Sequence, residues 1–259
     1  MSQVTICFLI KDKKLPHPEV PLENIIDAGG LKEFIEDYVR DQKKYPLTAA
    51  QVFYKVMRNI ENAQRVAKQI KNVNVEVYFL TPFGVLIEED PLVSYDKCID
   101  DIGFDRLKFY FDMFMVTDDL YELLESQPDI LIAWLNSKIV KITNIFEYIP
   151  RSTLSFILLD RAFETKYAHI KIIYPNPVFT RLLKIAEPRV TSENFSELFI
   201  KSIARILYNL MLEMGYEKFV EFISNGKDDP NDFFNLILSN ESFSTIGESK
   251  GDSLLKFFK

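Results

Sequence analysis

Between Val4 and Met115 the apolar residues change period several times, and that alternation restricts the fold more than any other feature. Residues 4–10 form a β-branched and aromatic run with sharp bounds, which predicts a strand. The proline-rich Leu15-Pro16-His17-Pro18-Glu19-Val20-Pro21 then forces an extended loop. After Gly29-Gly30, Leu31, Phe34, Ile35 and Tyr38 recur at the spacing of one helical face, and Pro46 ends that helix. Thr48 is a natural N-cap for a longer helix to about Lys71, with Phe53, Val56, Met57, Ile60, Ala63, Ala67 and Ile70 on one stripe. Residues 73–80 and 85–89, joined by Thr81-Pro82-Phe83-Gly84, predict a hairpin, and 106–115 a further strand. The order β-α-α-β-β-β predicts an α+β domain over residues 1–116, an order that a β-grasp arrangement fits.

The second half reads as a mixed, mainly helical part over residues 117–238. Short helices are expected at 118–125 and 128–134, a strand-like segment at 138–149, and a hairpin from 154–159 and 167–174. Helical spacing returns with Phe199, Ile203, Ile206, Leu207, Leu210 and Met214, Gly215 marks a break, and a last short helix covers 231–238. Residues 239–253 then shift to five serines with Gly247 and Gly251, the composition of a flexible linker.

An apolar fraction of 47% over 259 residues suffices for a sizeable core, so an ordinary globular body is expected. The net charge of −7 argues against a general nucleic-acid coat or an anionic-membrane binder, since both need a dominant positive field. No apolar run approaches the roughly 18 residues that span a bilayer, and the start reads as a strand rather than a signal peptide. Cys7 and Cys98, without any C-x-x-C spacing, fit a reducing compartment, so the expected location is intracellular, cytoplasmic or nuclear.

Beyond the linker, Leu254, Phe257 and Phe258 stand at i, i+3 and i+4, so one helical turn places all three on a single face, with Lys256 and Lys259 outside it. The stretch Gly251-Asp252-Ser253-Leu254-Leu255-Lys256-Phe257-Phe258 resembles the PIP box, the peptide with which replication and repair proteins bind the sliding clamp PCNA. The leucine and the paired aromatics match that pattern; Gly251 stands where the family has Gln, which removes a side-chain hydrogen bond. The resemblance covers these eight residues and implies a partner, a sliding clamp, with residues 254–259 as the docking peptide. The alternatives are another protein partner, or a turn that packs back on its own domain.

Two further constellations carry chemistry. Lys55, Arg58, Arg65 and Lys68 make the second helix basic, with Glu61 as its one acid, so this face is the candidate for DNA contact; the plainer reading is a solvated face. Asp160, Glu164 and Lys166 loosely resemble the PD-(D/E)xK nucleases, with Asp129 as a further ligand for Mg²⁺; the plainer reading is a charged hairpin end. His17 and His169 lack partners at metal or triad spacing, and no Walker loop, dinucleotide turn, nucleophile elbow or zinc pattern occurs, so no metal or cofactor is expected. The reading that follows is a non-enzymatic accessory or recruitment factor of DNA replication or repair. The alternatives are an Mg-dependent nuclease or an interaction subunit of a defence or viral complex.

Overall fold

The computed structural model describes residues 3–14, 18–42, 45–70, 72–186 and 189–239. The linker beyond Ser239 and the peptide with Leu254, Phe257 and Phe258 lie outside them, as does His17. In chain order the elements are β1 (Val4–Lys11), α1 (Leu22–Asp27), α2 (Leu31–Gln42), β2 (Leu47–Thr48), α3 (Ala49–Val52), α4 (Tyr54–Ile70), β3 (Val73–Thr81), β4 (Gly84–Ile87) and β5 (Pro91–Leu92). There follow α5 (Phe104–Met113), α6 (Val116–Glu125), β6 (Ile130–Trp134), α7 (Ser137–Thr143), β7 (Leu154–Leu158), β8 (Ile170–Ile173), α8 (Pro177–Ala186), α9 (Phe195–Asp228) and α10 (Pro230–Ile237).

Helices and a mixed sheet coexist, as the α+β reading expects, but the strands do not close as a β-grasp. One six-stranded sheet runs in the order β4-β3-β1-β6-β7-β8, and β2 pairs separately with β5. All neighbours in the large sheet are parallel except the β3–β4 hairpin. Numbered by sequence within that sheet, the order is 3-2-1-4-5-6, that of a doubly wound sheet with one edge strand reversed. Strands from before and after residue 116 therefore share one sheet, and β1 lies at its centre between β3 and β6.

Register sorts the side chains onto two faces. Phe79 stacks on Phe53 with centroids 4.9 Å apart, and Phe156 meets the Phe234 ring edge-on at 5.0 Å. The residues in register with these two, among them Ile10, Phe8 and Ile132, share that face, which α4, α9 and α10 cover. Both faces of β1, β6 and β7 are buried, which is why these strands are continuous apolar runs without alternation. α4 keeps the expected stripe, with Phe53 through Ala67 buried, and Thr48 caps α3 in a reciprocal box with Gln51.

Four local expectations are corrected by this packing. Residues 106–115 are helical: Leu107, Tyr110 and Phe111 are buried at i, i+3 and i+4, and the aromatic content that suggested a strand includes Phe109, exposed on the outer side. Residues 130–134 are a strand, because an apolar run that short suits a fully buried parallel strand better than a helix. Residues 137–143 are a helix, started by Asn136, whose side chain accepts from the Ile139 amide at 2.9 Å. β7 and β8 are neighbours but parallel, so residues 159–169 form a crossover and not a hairpin turn.

Candidate functional site

In doubly wound sheets the ligand crevice lies outside the carboxyl ends of the strands where the strand order reverses. Here that point is between β1 and β6. The two strands end on Lys11-Asp12 and on Trp134-Leu135-Asn136-Ser137, and the loop that follows β5 folds across them through Tyr95, Ile99 and Asp100.

The polar groups at this point satisfy one another. Lys11, with its side chain only 4% exposed, donates to Asp100 and lies 4.9 Å from the centre of the Trp134 ring. The other Asp100 oxygen accepts from Asn136 Nδ2 at 2.7 Å. Asp12 is fully buried; its two oxygens accept from Tyr95 Oη at 2.7 Å and from the Ile99 amide at 2.8 Å. Lys138 Nζ donates to the carbonyls of Ile99, Asp100 and Ile102 at 2.9, 3.1 and 2.6 Å. Asp160, past the end of β7, accepts from the Ser137 amide and hydroxyl at 2.8 and 3.1 Å, at the N-terminus of α7.

Electrostatics follows from this arrangement. Burial pushes the Asp12 carboxyl up to about 7, against the hydrogen bonds from Tyr95 and Ile99 and the charge of Lys11. For Asp100 burial acts upward as well, but the Lys11 charge and the hydrogen bonds from Lys11 and Asn136 outweigh it, so its pKa is lowered. A near-neutral carboxyl in a crevice ordinarily suggests acid–base chemistry. Asp12 has no exposed surface, and both its oxygens face inward donors, so it acts as a strut between β1 and the loop.

The residues singled out by sequence fall in separate places. Asp160 sits at the start of α7, whereas Glu164 and Lys166 line an open hollow of about 590 Å³ with Val140, Lys141 and Asn144 near the end of that helix. Asp129 precedes β6 at the opposite edge of the sheet, where it accepts from the Thr5 amide at 2.8 Å and from Lys227. Along the five residues of β6 that is roughly 16 Å from the carboxyl edge, too far to share an ion with Asp160. Among the described residues no group of three His, Cys, Asp or Glu side chains is placed to hold a metal ion. His169 is buried, and burial lowers its pKa.

Lys55, Arg58, Arg65 and Lys68 are all exposed on α4. Arg65 also lines a groove where α4 meets α9, together with Asn62, Val66, Gln69, Arg205, Tyr208, Asn209 and Leu212. Sequence reasoning did not single out Lys11, Asp12, Asp100, Asn136 or Lys138. The available signal was the placement of Lys11-Asp12 directly after an apolar strand buried on both faces. Set against family models, curated proteins and solved structures, the chain matches none.

Among the described residues no helix is long and apolar enough to cross a membrane.

Proposed function

We propose that this chain is a non-enzymatic accessory or recruitment factor of DNA replication or repair, intracellular, whose folded body is followed by a Ser/Gly-rich stretch and a clamp-binding peptide. One observation carries the non-enzymatic half of the reading: at the switch point, where a doubly wound sheet would bind a substrate, Lys11, Asp12, Asp100, Asn136 and Lys138 are engaged with one another or with backbone. The recruitment half rests on the spacing of Leu254, Phe257 and Phe258 behind the Ser/Gly-rich stretch. Three such side chains contribute roughly 5 to 9 kcal/mol before the cost of ordering the peptide, so a dissociation constant of about a micromolar is the tightest expected.

Calorimetric titration of a PCNA-type clamp with the full chain, with a chain ending at Ser253 and with a Phe257→Ala/Phe258→Ala variant tests it. Binding by the intact chain that is lost in both altered forms is the expected result. An intact chain that gives no heat of binding at tens of micromolar removes the clamp from the proposal.

A further inference from the structure

We propose that the acid-rimmed groove between α2, β4 and the α5–α6 junction is a docking site for a basic, apolar peptide, and that its occupant is residues 254–259 of this chain. The inference concerns the same peptide as the clamp reading but does not depend on it, since no clamp takes part.

The groove is built at the open edge of the sheet. Its volume is about 580 Å³, and Leu31 and Ile35 of α2, Phe83 and Leu86 around β4, and Phe114 between α5 and α6 supply its apolar lining. Gly30 and Gly84 narrow it from two sides. A Cβ on Gly30, at φ 138°, would stand 3.2 Å from Glu33 Oε2 and 3.5 Å from the Phe114 ring, and one on Gly84 would stand 3.7 Å from Asp119 Oδ2. β4 is the outermost strand, yet its Val85 amide donates to the Asp119 carboxylate and its Ile87 amide to Asp90 at 2.8 Å. Strand addition is thereby blocked, so an occupant enters through its side chains.

Charge, shape and reach select the occupant. Glu33, Glu36, Asp90 and Asp119 line the groove against a single cation, Lys32. Lys32 stands one turn before Glu36 and offsets it, while Arg40, the other base of α2, already bridges Asp37 and Asp41. Glu33, Asp90 and Asp119 form no ion pair among the described residues. Burial raises the Asp119 pKa against the Val85 hydrogen bond, and the charges that act on it, those of Glu122 and Asp118, raise it as well, so no cation answers this carboxylate. Residues 254–259 carry the complement: Leu254, Phe257 and Phe258 on one face of a turn for the lining, and Lys256 and Lys259 beside it for the rim. The distance can be covered. α10 packs on β7 through Phe234 and Phe156, and β4 lies four strands away, roughly 19 Å. The fourteen residues 240–253 extend to about 48 Å at most, which allows a path around a layer of helices.

Fluorescence anisotropy with a labelled synthetic peptide of residues 251–259 tests the proposal on full-length chains. The Phe257→Ala/Phe258→Ala chain, whose own peptide no longer competes, is expected to bind it with a dissociation constant of about 100 µM. Wild type is expected to bind about tenfold more weakly, because its own peptide competes at an effective concentration of about a millimolar. Adding Glu33→Lys/Glu36→Lys to the Phe257→Ala/Phe258→Ala chain is expected to cost about a further tenfold, whereas Glu217→Lys/Glu221→Lys, the same reversal on the exposed side of α9, leaves binding unchanged. Thermal melting reports whether each variant folds. If the groove reversal does not, a peptide with a benzophenone in place of the Phe258 ring locates the site on the Phe257→Ala/Phe258→Ala chain, with adducts expected on α2, β4 or the residues around Phe114. Absence of binding by that chain, equal binding by wild type, equal loss in the α9 control, or adducts elsewhere would each overturn the proposal. A concentration-dependent dimer of wild type that Phe257→Ala/Phe258→Ala abolishes would assign the groove to the peptide of a second copy, and would overturn it too. No clamp is present in these measurements, so their failure is distinct from a failure of clamp binding in the calorimetry.

Discussion

Lys11 and Asp100 form an ion pair with unequal partners, since the Lys11 side chain is 4% exposed and that of Asp100 is 51% exposed. Removing the acid strands an ammonium in the interior; removing the lysine leaves a carboxylate that water reaches. Asp100→Ala is therefore expected to cost about 3 kcal/mol, whereas Lys11→Met, which keeps the stem packed by Trp134, is expected to fall within about 1 kcal/mol of wild type in urea unfolding. Equal losses in the two variants would show that the pair itself, and not the burial of its cation, stabilises the junction. Asp12 gives a second residue-scale test. Its folded pKa of about 7 lies above the ordinary value of 3.8, so the folded state keeps the proton between them. The corresponding stability is full below about 4 and lost as pH rises through about 7. His169 acts oppositely, its lowered pKa taking stability away as pH falls below its ordinary 6.5. Melting of wild type and Asp12→Asn side by side separates the two: the variant is expected to gain about 4 °C on wild type at about pH 8 and nothing near pH 4. A difference that does not change with pH would mean that Asp12 stays ionised throughout.

At the scale of elements, two glycines of α9 act for different reasons. Gly215 interrupts the helix with φ 68° and ψ 177°, backbone angles that side chains rarely adopt, and a Cβ there would meet nothing within 4 Å. Gly226 is helical, and a Cβ on it would come within 2.6 Å of Phe233 Cδ2 and 3.0 Å of Leu154 Cδ1, so α9, α10 and β7 approach only because it is absent. Alanine at either position is expected to destabilise by about 1 to 3 kcal/mol, despite alanine's helix propensity at Gly226. Adding Phe233→Leu should recover part of the Gly226→Ala loss and none of the Gly215→Ala loss; equal coupling in both would contradict the steric account. The same elements show how far sequence carries. The α4 stripe, the β3–β4 hairpin, the break at Gly215 and the cap at Thr48 were legible because each is fixed by residues within a few positions of one another. The identities of α5 and β6 were not, because their apolar residues fit either period and only burial on one side or on both decides between them.

For the whole molecule, the information lacking in the sequence was pairing. β1 lies in register with β3 through Ile6↔Val75 and with β6 through Ile6↔Ile130, contacts between segments far apart in the chain that leave no local pattern. The Lys11–Asp100–Asn136 cluster was hidden for the same reason, since it exists only once β1, the loop after β5 and the end of β6 have met. This topology makes the two halves interdependent. A chain of residues 1–116 would keep β1, β3 and β4 but lose β6, opening the edge of a central strand whose residues from Ile6 to Ile10 are all at most 1% exposed. It would also lose α9, which covers α4, and Asn136 and Lys138, which hold the loop around Asp100. An apolar strand edge of that kind pairs with other chains. The full chain is accordingly expected to unfold in one thermal transition with near-UV and far-UV dichroism changing together, and the 1–116 fragment to aggregate or lack near-UV signal. A soluble fragment with native-like near-UV dichroism, or two separated transitions in the full chain, would show that the first three strands fold as a unit and that the sheet is completed by docking.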